Sequence, residues 1–357
     1  MKLVAVGDPF LDAGTLAEVI RPALPPAVKF AAVQWPLRDK EELQRFNLQV
    51  EQGGPTAVPV SAEVLAAVKD AAILFTQFWP VPAAVMDAAP GLRVIAVGRS
   101  GVENVDVAHA TRRGICVLNT VGRNAQAVAE YTIGLLLCEA RNIGRAHAAL
   151  KRGEWRKKYP NDASVPELPG RTLGIVGFGQ IGRLIARKLA GFEMKILAHD
   201  PYARPEPGVE FVDLPTLMRR SDFVTVHAKL TAETRGLIGR EMLALMKPTA
   251  YLINTARAEL VDEAALADAL RAGRLAGAAL DVFGREPPAA DDPLLALDNV
   301  TLSPHQAGVT VDAYRTTAKL FAENVSRLWR GEVTPANLVN RETAGVLAEF
   351  KRQFVND

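Results

Sequence analysis

Three side chains in the second half of the sequence are of the types that acid–base work on a small anion requires. They are Arg257 in INTARAELVDE, Glu286 in LDVFGREP and His305 in VTLSPHQAG. An arginine fork holds a planar carboxylate through two parallel, charge-assisted hydrogen bonds. A histidine exchanges a proton near neutral pH, and a carboxylate beside it fixes its tautomer and raises its proton affinity. Together they suit hydride transfer at a carbon bearing a hydroxyl or keto oxygen next to a carboxylate. Taken singly, each has an ordinary reading, a surface arginine or a histidine packed in a loop. Their weight comes from a second motif upstream.

That motif is GRTLGIVGFGQIGRLIARKL, where Gly177, Gly179 and Gly182 make a GxGxxG between an apolar strand and a helix. The first glycine permits the tight turn, the second lets the backbone approach a pyrophosphate, and the third lets helix and strand pack closely. Free N–H groups and the helix dipole at this end, where Gln180 and Ile181 stand, favour an anion. The next strand, MKILAHD, ends at Asp200, eighteen residues beyond Gly182. A carboxylate there accepts ribose hydroxyls of NAD and repels the extra phosphate of NADP, though Arg204 nearby leaves some room for NADP. The expected cofactor is NAD.

Elements must hold these groups in place, and strands alternate with helical patterns almost throughout. The first block has strands expected at 2–6, 27–35, 71–75, 92–97 and 115–118. A polar insertion at 36–60 carries a short amphipathic helix with Leu43, Phe46 and Val50. One long helical pattern runs over 124–151 and is apolar enough for a two-fold interface. Six further strands, at 171–176, 194–199, 222–227, 249–254, 277–282 and 299–303, form a doubly wound set. Arg257 and His305 directly follow strand ends, where open parallel sheets bind their ligands. A last amphipathic helix over 311–330 has Tyr314, Phe321, Val325 and Leu328 on one face and stops at Gly331. An appended helix is expected over 341–357.

Composition narrows the function classes. At 357 residues the chain allows about two domains of ~150 residues. Its 49% hydrophobic and 23% charged content exclude wholesale disorder. Lys plus Arg is 42 against 40 for Asp plus Glu, so no field exists for nucleic acid or an anionic membrane. Cys116 and Cys138 both sit in apolar surroundings and read as two buried thiols, neither a disulfide framework nor a metal site. MKLVAVGDPF reads as a first strand and not a signal peptide, so a reducing, cytoplasmic setting is expected.

The motifs in order resemble the D-isomer-specific 2-hydroxyacid dehydrogenases, the family of 3-phosphoglycerate dehydrogenase, glyoxylate reductase and D-lactate dehydrogenase. The resemblance runs from LRVIAVGRSGVENVDVAHATRRGICVLNT through GRNAQAVAEYTIGLLL, VGFGQIG, INTARAELVDE and ALDVFGREP to SPHQAG and GEVTPANLVN. It implies an α/β fold of two doubly wound parallel-sheet domains. A Rossmann cofactor domain, 123–307, is inserted into a flavodoxin-like substrate domain made of 1–122 and 308–357. It implies that Arg257 grips the substrate, that His305 is the general acid/base, and that Glu286 is its partner. Asp281 then faces the nicotinamide carboxamide, and the Ser100-Gly101-Val102 backbone receives the substrate carboxylate. Thr255 and Ala256, with His227 at the end of DFVTVHA, lie on the cofactor side. His227 is the best rival acid/base, whereas His109, His147 and His199 read as packing or surface residues. A small 2-hydroxy or 2-oxo acid is the expected partner, and the family resemblance suggests a homodimer.

Departures from the family pattern mark where specificity is open. Lys229 stands where many relatives have proline. In TQFWP, Gln77 and Phe78-Trp79 are candidates for substrate selection, against the alternative that the aromatics pack at a domain edge. No Arg or Lys occurs there, which counts against a phosphorylated substrate unless Arg99 or Arg123 serves instead. Two other functions stay open at this point: a formate- or phosphite-type dehydrogenase, and an NADH-responsive corepressor-like binding module. Glu286 speaks against the formate enzymes, which carry glutamine there.

Overall fold

The computed structural model describes residues 1–330 and 337–347. The chain divides into two compact units, Met1–Arg123 with the described residues from Thr310 on, and Asn124–Val309.

The first unit is built on five strands: β1 (Lys2–Gly7), β2 (Lys29–Gln34), β3 (Ile73–Thr76), β4 (Val94–Val97) and β5 (Cys116–Asn119). All pair in parallel, in the order β2-β1-β3-β4-β5. Helices cover both faces, which explains why the strands read as unbroken apolar runs. Leu3, Phe75 and Phe321 share one core, whereas Val4, Leu74 and Trp79 share the other. The returning chain completes this unit. Helix Val311–Trp329 lays Phe321 against Phe75 at 4.2 Å between ring centroids. Beyond it, Val339 N–H donates to the Val117 carbonyl, and the Asn340 side chain bonds Val117 and Ile115 backbone at 2.8 Å each.

Local signals set the helix starts. The carboxylates of Asp12, Asp39, Asp106, Asp213 and Asp262 each accept the N–H three residues on. Such caps contribute about 1 kcal/mol each. The insertion 36–60 forms helix Lys40–Gly53, with Leu43 and Val50 buried and Phe46 stacked against Trp35 at 6.0 Å. Trp79 is buried in the core, so of the TQFWP aromatics only Phe78 is left partly exposed.

The second unit has seven strands, one more than the sequence suggests: β6 (Thr172–Val176), β7 (Lys195–His199), β8 (Val209–Phe211), β9 (Phe223–Val226), β10 (Tyr251–Asn254), β11 (Gly277–Leu280) and β12 (Val300–Leu302). Their order is β12-β11-β10-β9-β6-β7-β8, all parallel. The extra strand, β8, is three residues on the sheet edge. It is too short to show alternation, and only its pairing with β7 makes it a strand.

Three other expectations need correcting or bounding. The helical pattern 124–151 is two helices, Ala125–Ala140 and Ile143–Lys151. Asn142 breaks it in the left-handed region at φ 57°, a conformation asparagine tolerates. The break is anchored from inside: Arg145 reaches back to the buried Glu139 carboxylate at 2.6 and 2.7 Å, and Thr301 donates to the same group. Cys116 is buried but Cys138 is only partly so, with its Sγ beside Gly144. Gly331, the Leu328 side chain and residues 348–357 of the expected appended helix lie outside the described residues.

Candidate active site

The second unit gathers its functional residues at one edge of the sheet. The chain leaves β6 at Gly177, β9 at His227, β10 at Thr255, β11 at Asp281 and β12 at Ser303, all at carboxyl ends. The strand order reverses between β6 and β9, so a ligand crevice belongs there.

The glycine loop fits a dinucleotide on its own geometry. Gly177 has φ +91°, and a Cβ there would lie 2.4 Å from the Ala228 amide nitrogen, so only glycine lets β6 turn against the β9 exit. A Cβ on Gly182 would meet the Gly177 carbonyl at 2.7 Å. Gly179 differs from both, because a Cβ on it would enter open space. Nothing in the fold requires glycine at that point, and the open space leaves room for a ligand group to approach the backbone. Gly179 caps helix Gln180–Ala190 without any side-chain hydrogen bond, which leaves the helix N–H groups at Gln180 and Ile181 facing outward for an anion. At the end of β7 the Asp200 carboxylate accepts from Phe178 N–H at 2.8 Å and from Tyr202 and Ala203 N–H at 2.8 and 3.1 Å. It therefore ties the loop to the next strand and keeps its negative charge where a ribose would lie.

His305 and Glu286 are brought together. His305 Nδ1 and Glu286 Oε2 are 2.7 Å apart, and Glu286 Oε1 accepts from Phe283 N–H at 3.1 Å. The hydrogen bond to Glu286 holds His305 above the usual histidine range, outweighing the opposing effect of burial. Burial would raise Glu286, but the His305 hydrogen bond and charge keep it below the ordinary carboxylate range. His305 itself sits at φ 52°, a left-handed backbone costing on the order of 1–3 kcal/mol for a non-glycine residue.

Asp281 holds that conformation. Its carboxylate is fully buried, with Oδ1 accepting from Ser303 Oγ (2.6 Å) and Gln306 N–H (2.9 Å) and Oδ2 from Ala307 N–H (2.8 Å). Family resemblance assigns it to the nicotinamide carboxamide, whereas its observed hydrogen bonds all brace the loop carrying His305. Composition and spacing gave no sign of this bracing, since the contacts lie across two strands.

Arg257 is exposed and has no carboxylate partner among the described residues; its Nη1 donates to the Ala256 carbonyl at 2.7 Å. Its charge reaches both Glu286 and His305. Asn254, which the sequence reading passed over, fixes this turn by donating to the Arg257 carbonyl and accepting from Ala256 N–H. Thr255 is buried, its hydroxyl 2.8 Å from that of Thr132. His227 is neutral: burial pushes it down to about 3, Nε2 lies 2.8 Å from Thr225 Oγ1, and Nδ1 has no partner. The same burial disfavours the charged form that an acid at this position needs. Lys229 is exposed, and its carbonyl accepts from Thr234 Oγ1.

In the first unit, Ser100, Gly101 and Val102 follow β4, and the Ser100 carbonyl accepts from Asn119 Nδ2 at 2.7 Å. The Glu103 carboxylate lies against this turn, 2.3 Å from where a Gly101 Cβ would stand. Gln77 is buried with both side-chain polar atoms unpartnered.

Residues 133–307 match the family model of the D-isomer specific 2-hydroxyacid dehydrogenase NAD binding domain. The chain is 44% identical to a glyoxylate reductase of Thermofilum pendens over 295 residues, 81% of this chain and 87% of the relative. It is also 44% identical to a D-3-phosphoglycerate dehydrogenase of Methanocaldococcus jannaschii over 285 residues, 78% of this chain and only 53% of that protein. The crystal structure of TT0316 protein from Thermus thermophilus superposes with a TM-score of 0.71 at 33% identity, covering 95% of this chain and all of that one. The chain belongs to the D-isomer specific 2-hydroxyacid dehydrogenase family. It is an NAD-dependent oxidoreductase acting on the CH–OH group of a D-2-hydroxy acid.

Proposed function

We propose that His305 is the general acid/base of this reaction, Glu286 its partner and Arg257 the substrate anchor, converting a small 2-oxo acid to its D-2-hydroxy acid and back. The observation that carries the reading is the 2.7 Å His305–Glu286 contact, which raises the proton affinity of a half-exposed imidazole on this edge. In reduction, protonated His305 donates to the oxygen developing at C2, and Glu286 stabilises the imidazolium beforehand. Arg257 directs its fork at the carboxylate and keto oxygen and offsets the growing negative charge. In oxidation neutral His305 takes the hydroxyl proton. NAD, when bound, supplies or accepts the hydride. The residues that hold it are the Gly177–Gly182 loop with Gln180 and Ile181, Asp200, and the strand ends at His227, Thr255 and Ala256. Asp281 serves by fixing the 303–307 loop. Within the first unit, the Ser100-Gly101-Val102 backbone is the candidate seat for a carboxylate.

His305→Ala and Arg257→Ala should each lose on the order of 10²–10⁴ in turnover, while NADH binding measured by fluorescence titration persists. Near-normal turnover in His305→Ala overturns the assignment. A panel of glyoxylate, hydroxypyruvate, phosphohydroxypyruvate and four-carbon sugar acids identifies the substrate.

The first unit is the substrate domain in this reading and the second the cofactor domain. A homodimer is supported by apolar side chains exposed on the second unit, Ile143, Leu150, Trp155 and Val165. Sedimentation showing only a 38.5 kDa species at micromolar protein would remove it. The two free thiols suit a reducing cytoplasm. Among the described residues no helix is long and apolar enough to cross a membrane.

A further inference from the structure

The turn that carries Glu286 is held by two carboxylates. Phe283 and Gly284 follow β11, and their N–H groups donate to different acids. Phe283 donates to Glu286 Oε1 at 3.1 Å, and Gly284 donates to Glu263, 3.0 Å from Oε1 and 3.2 Å from Oε2. The approach is close, since a Cβ on Gly284 would lie 2.6 Å from Glu263 Oε2. Adjacent peptide N–H groups thus bring two carboxylates side by side, and one of them is bonded to His305.

Glu263 opens helix Glu263–Arg271, where a glutamate ordinarily serves only to complement the helix dipole. Its surroundings differ from that. Asp262 already caps the helix, accepting from Ala265 N–H at 3.0 Å. The neighbouring acids are engaged elsewhere: Glu259 pairs with Arg235 at 3.8 Å, and Asp292 accepts from Leu294 N–H at 2.9 Å. Among the described residues Glu263 has no cation, and Gly284 N–H is its one hydrogen-bond donor. Burial, with the charges of Asp292, Glu259 and Glu286, holds it above the ordinary carboxylate range, against the Gly284 hydrogen bond. A carboxylate among like charges without a cation is disfavoured where it stands. Its one contact is with the turn that aims Glu286.

We propose that Glu263 is a positioning residue: by clamping the Gly284 peptide it fixes the 283–286 turn, and so directs Glu286 Oε2 at His305 Nδ1. The helix lies between β10 and β11 and the turn follows β11, so this contact ties the connection before the strand to the one after it. The other hydrogen bond of the turn, from Phe283 N–H to Glu286, is internal to it and cannot anchor it. His305 is faced by the charges of Glu286, Arg257 and Asp281, and of these only Glu286 stands on the clamped turn. This role rests on the proposed function for the parts played by Glu286 and His305.

The test follows the His305 ring by NMR titration of the whole chain without coenzyme, and kcat with the panel acid turned over fastest. In Glu263→Ala, His305 should titrate about half a pH unit lower or more, because Glu286 is no longer held against it. The same variant should lose about tenfold in kcat, with the Kd for NADH held. Glu263→Gln keeps an acceptor for Gly284 N–H and should recover most of both. On a Glu286→Gln background Glu263→Ala should add nothing further, since effects acting through one residue are not additive. The two readings fail separately. A His305 titration that moves in Glu263→Ala and returns in Glu263→Gln, with turnover unmoved in every variant, keeps the positioning role and defeats the proposed function. A lower melting temperature with the His305 titration unmoved, or a full second loss on the Glu286→Gln background, makes Glu263 a structural residue only and overturns the role.

Discussion

The two units present the same kind of edge, the carboxyl ends of a parallel sheet at its switch point, and furnish it in opposite ways. In the second unit the edge is made of backbone: a glycine turn, an uncapped helix end and a loop whose φ of 52° sets His305 in place. In the first it is made of long side chains over stacked rings, with Arg123 Nη1 and the Gln77 amide left without hydrogen-bond partners among the described residues. A cofactor common to a whole family is met by main-chain geometry, which few substitutions disturb.

That contrast can be broken first at the glycines. Gly177→Ala forces a Cβ into Ala228 at a φ of +91°, and should cost about 3 kcal/mol or more, read as a large drop in melting temperature with loss of NADH binding. Gly179→Ala meets open space, so the melting temperature should hold while NADH affinity falls by about tenfold or more. Equal affinity in wild type and Gly179→Ala would mean that the space is not where the pyrophosphate lies.

A smaller effect is expected at Asp281. Asp281→Asn cannot accept all three of its present hydrogen bonds, so kcat should fall by about tenfold as the 303–307 loop loosens, with the Kd for NADH held. A fall in NADH affinity with kcat unchanged would return Asp281 to the cofactor contact that the resemblance implies.

The mildest change is in pH dependence. Glu286 raises the proton affinity of His305, so the protonated acid needed for reduction persists to higher pH than an isolated histidine allows, and activity falls as pH rises through the raised value. Glu286→Gln removes the countercharge and should move that fall to lower pH. An unmoved profile would show that another group supplies the proton.

Much of the second unit could be read from the chain. The GxGxxG, the carboxylate ending the next strand, and Arg257, Glu286 and His305 are short-range or positional signals; Arg257 and His305 follow the ends of β10 and β12, and Glu286 lies in the loop after β11. What escaped were features that depend on partners distant in sequence. Edge strand β8 is defined only by β7, and the helix break at Asn142 depends on Glu139 and Thr301. The hydrogen bonds of Asp281 to Ser303, Gln306 and Ala307 are invisible until β11 and β12 lie side by side.

The sequence by itself determined the chemistry of the second unit, because a dinucleotide turn is encoded within a few consecutive residues and because strand ends are local events. Only the tertiary structure decided the character of the first unit's edge. Asp8, Lys40, Gln77, Arg99, Arg123 and Tyr314 come from six separate segments, and any of them alone is an ordinary polar residue. Their meaning depends on which cation finds a carboxylate and which does not, and that is settled by packing across the sheet.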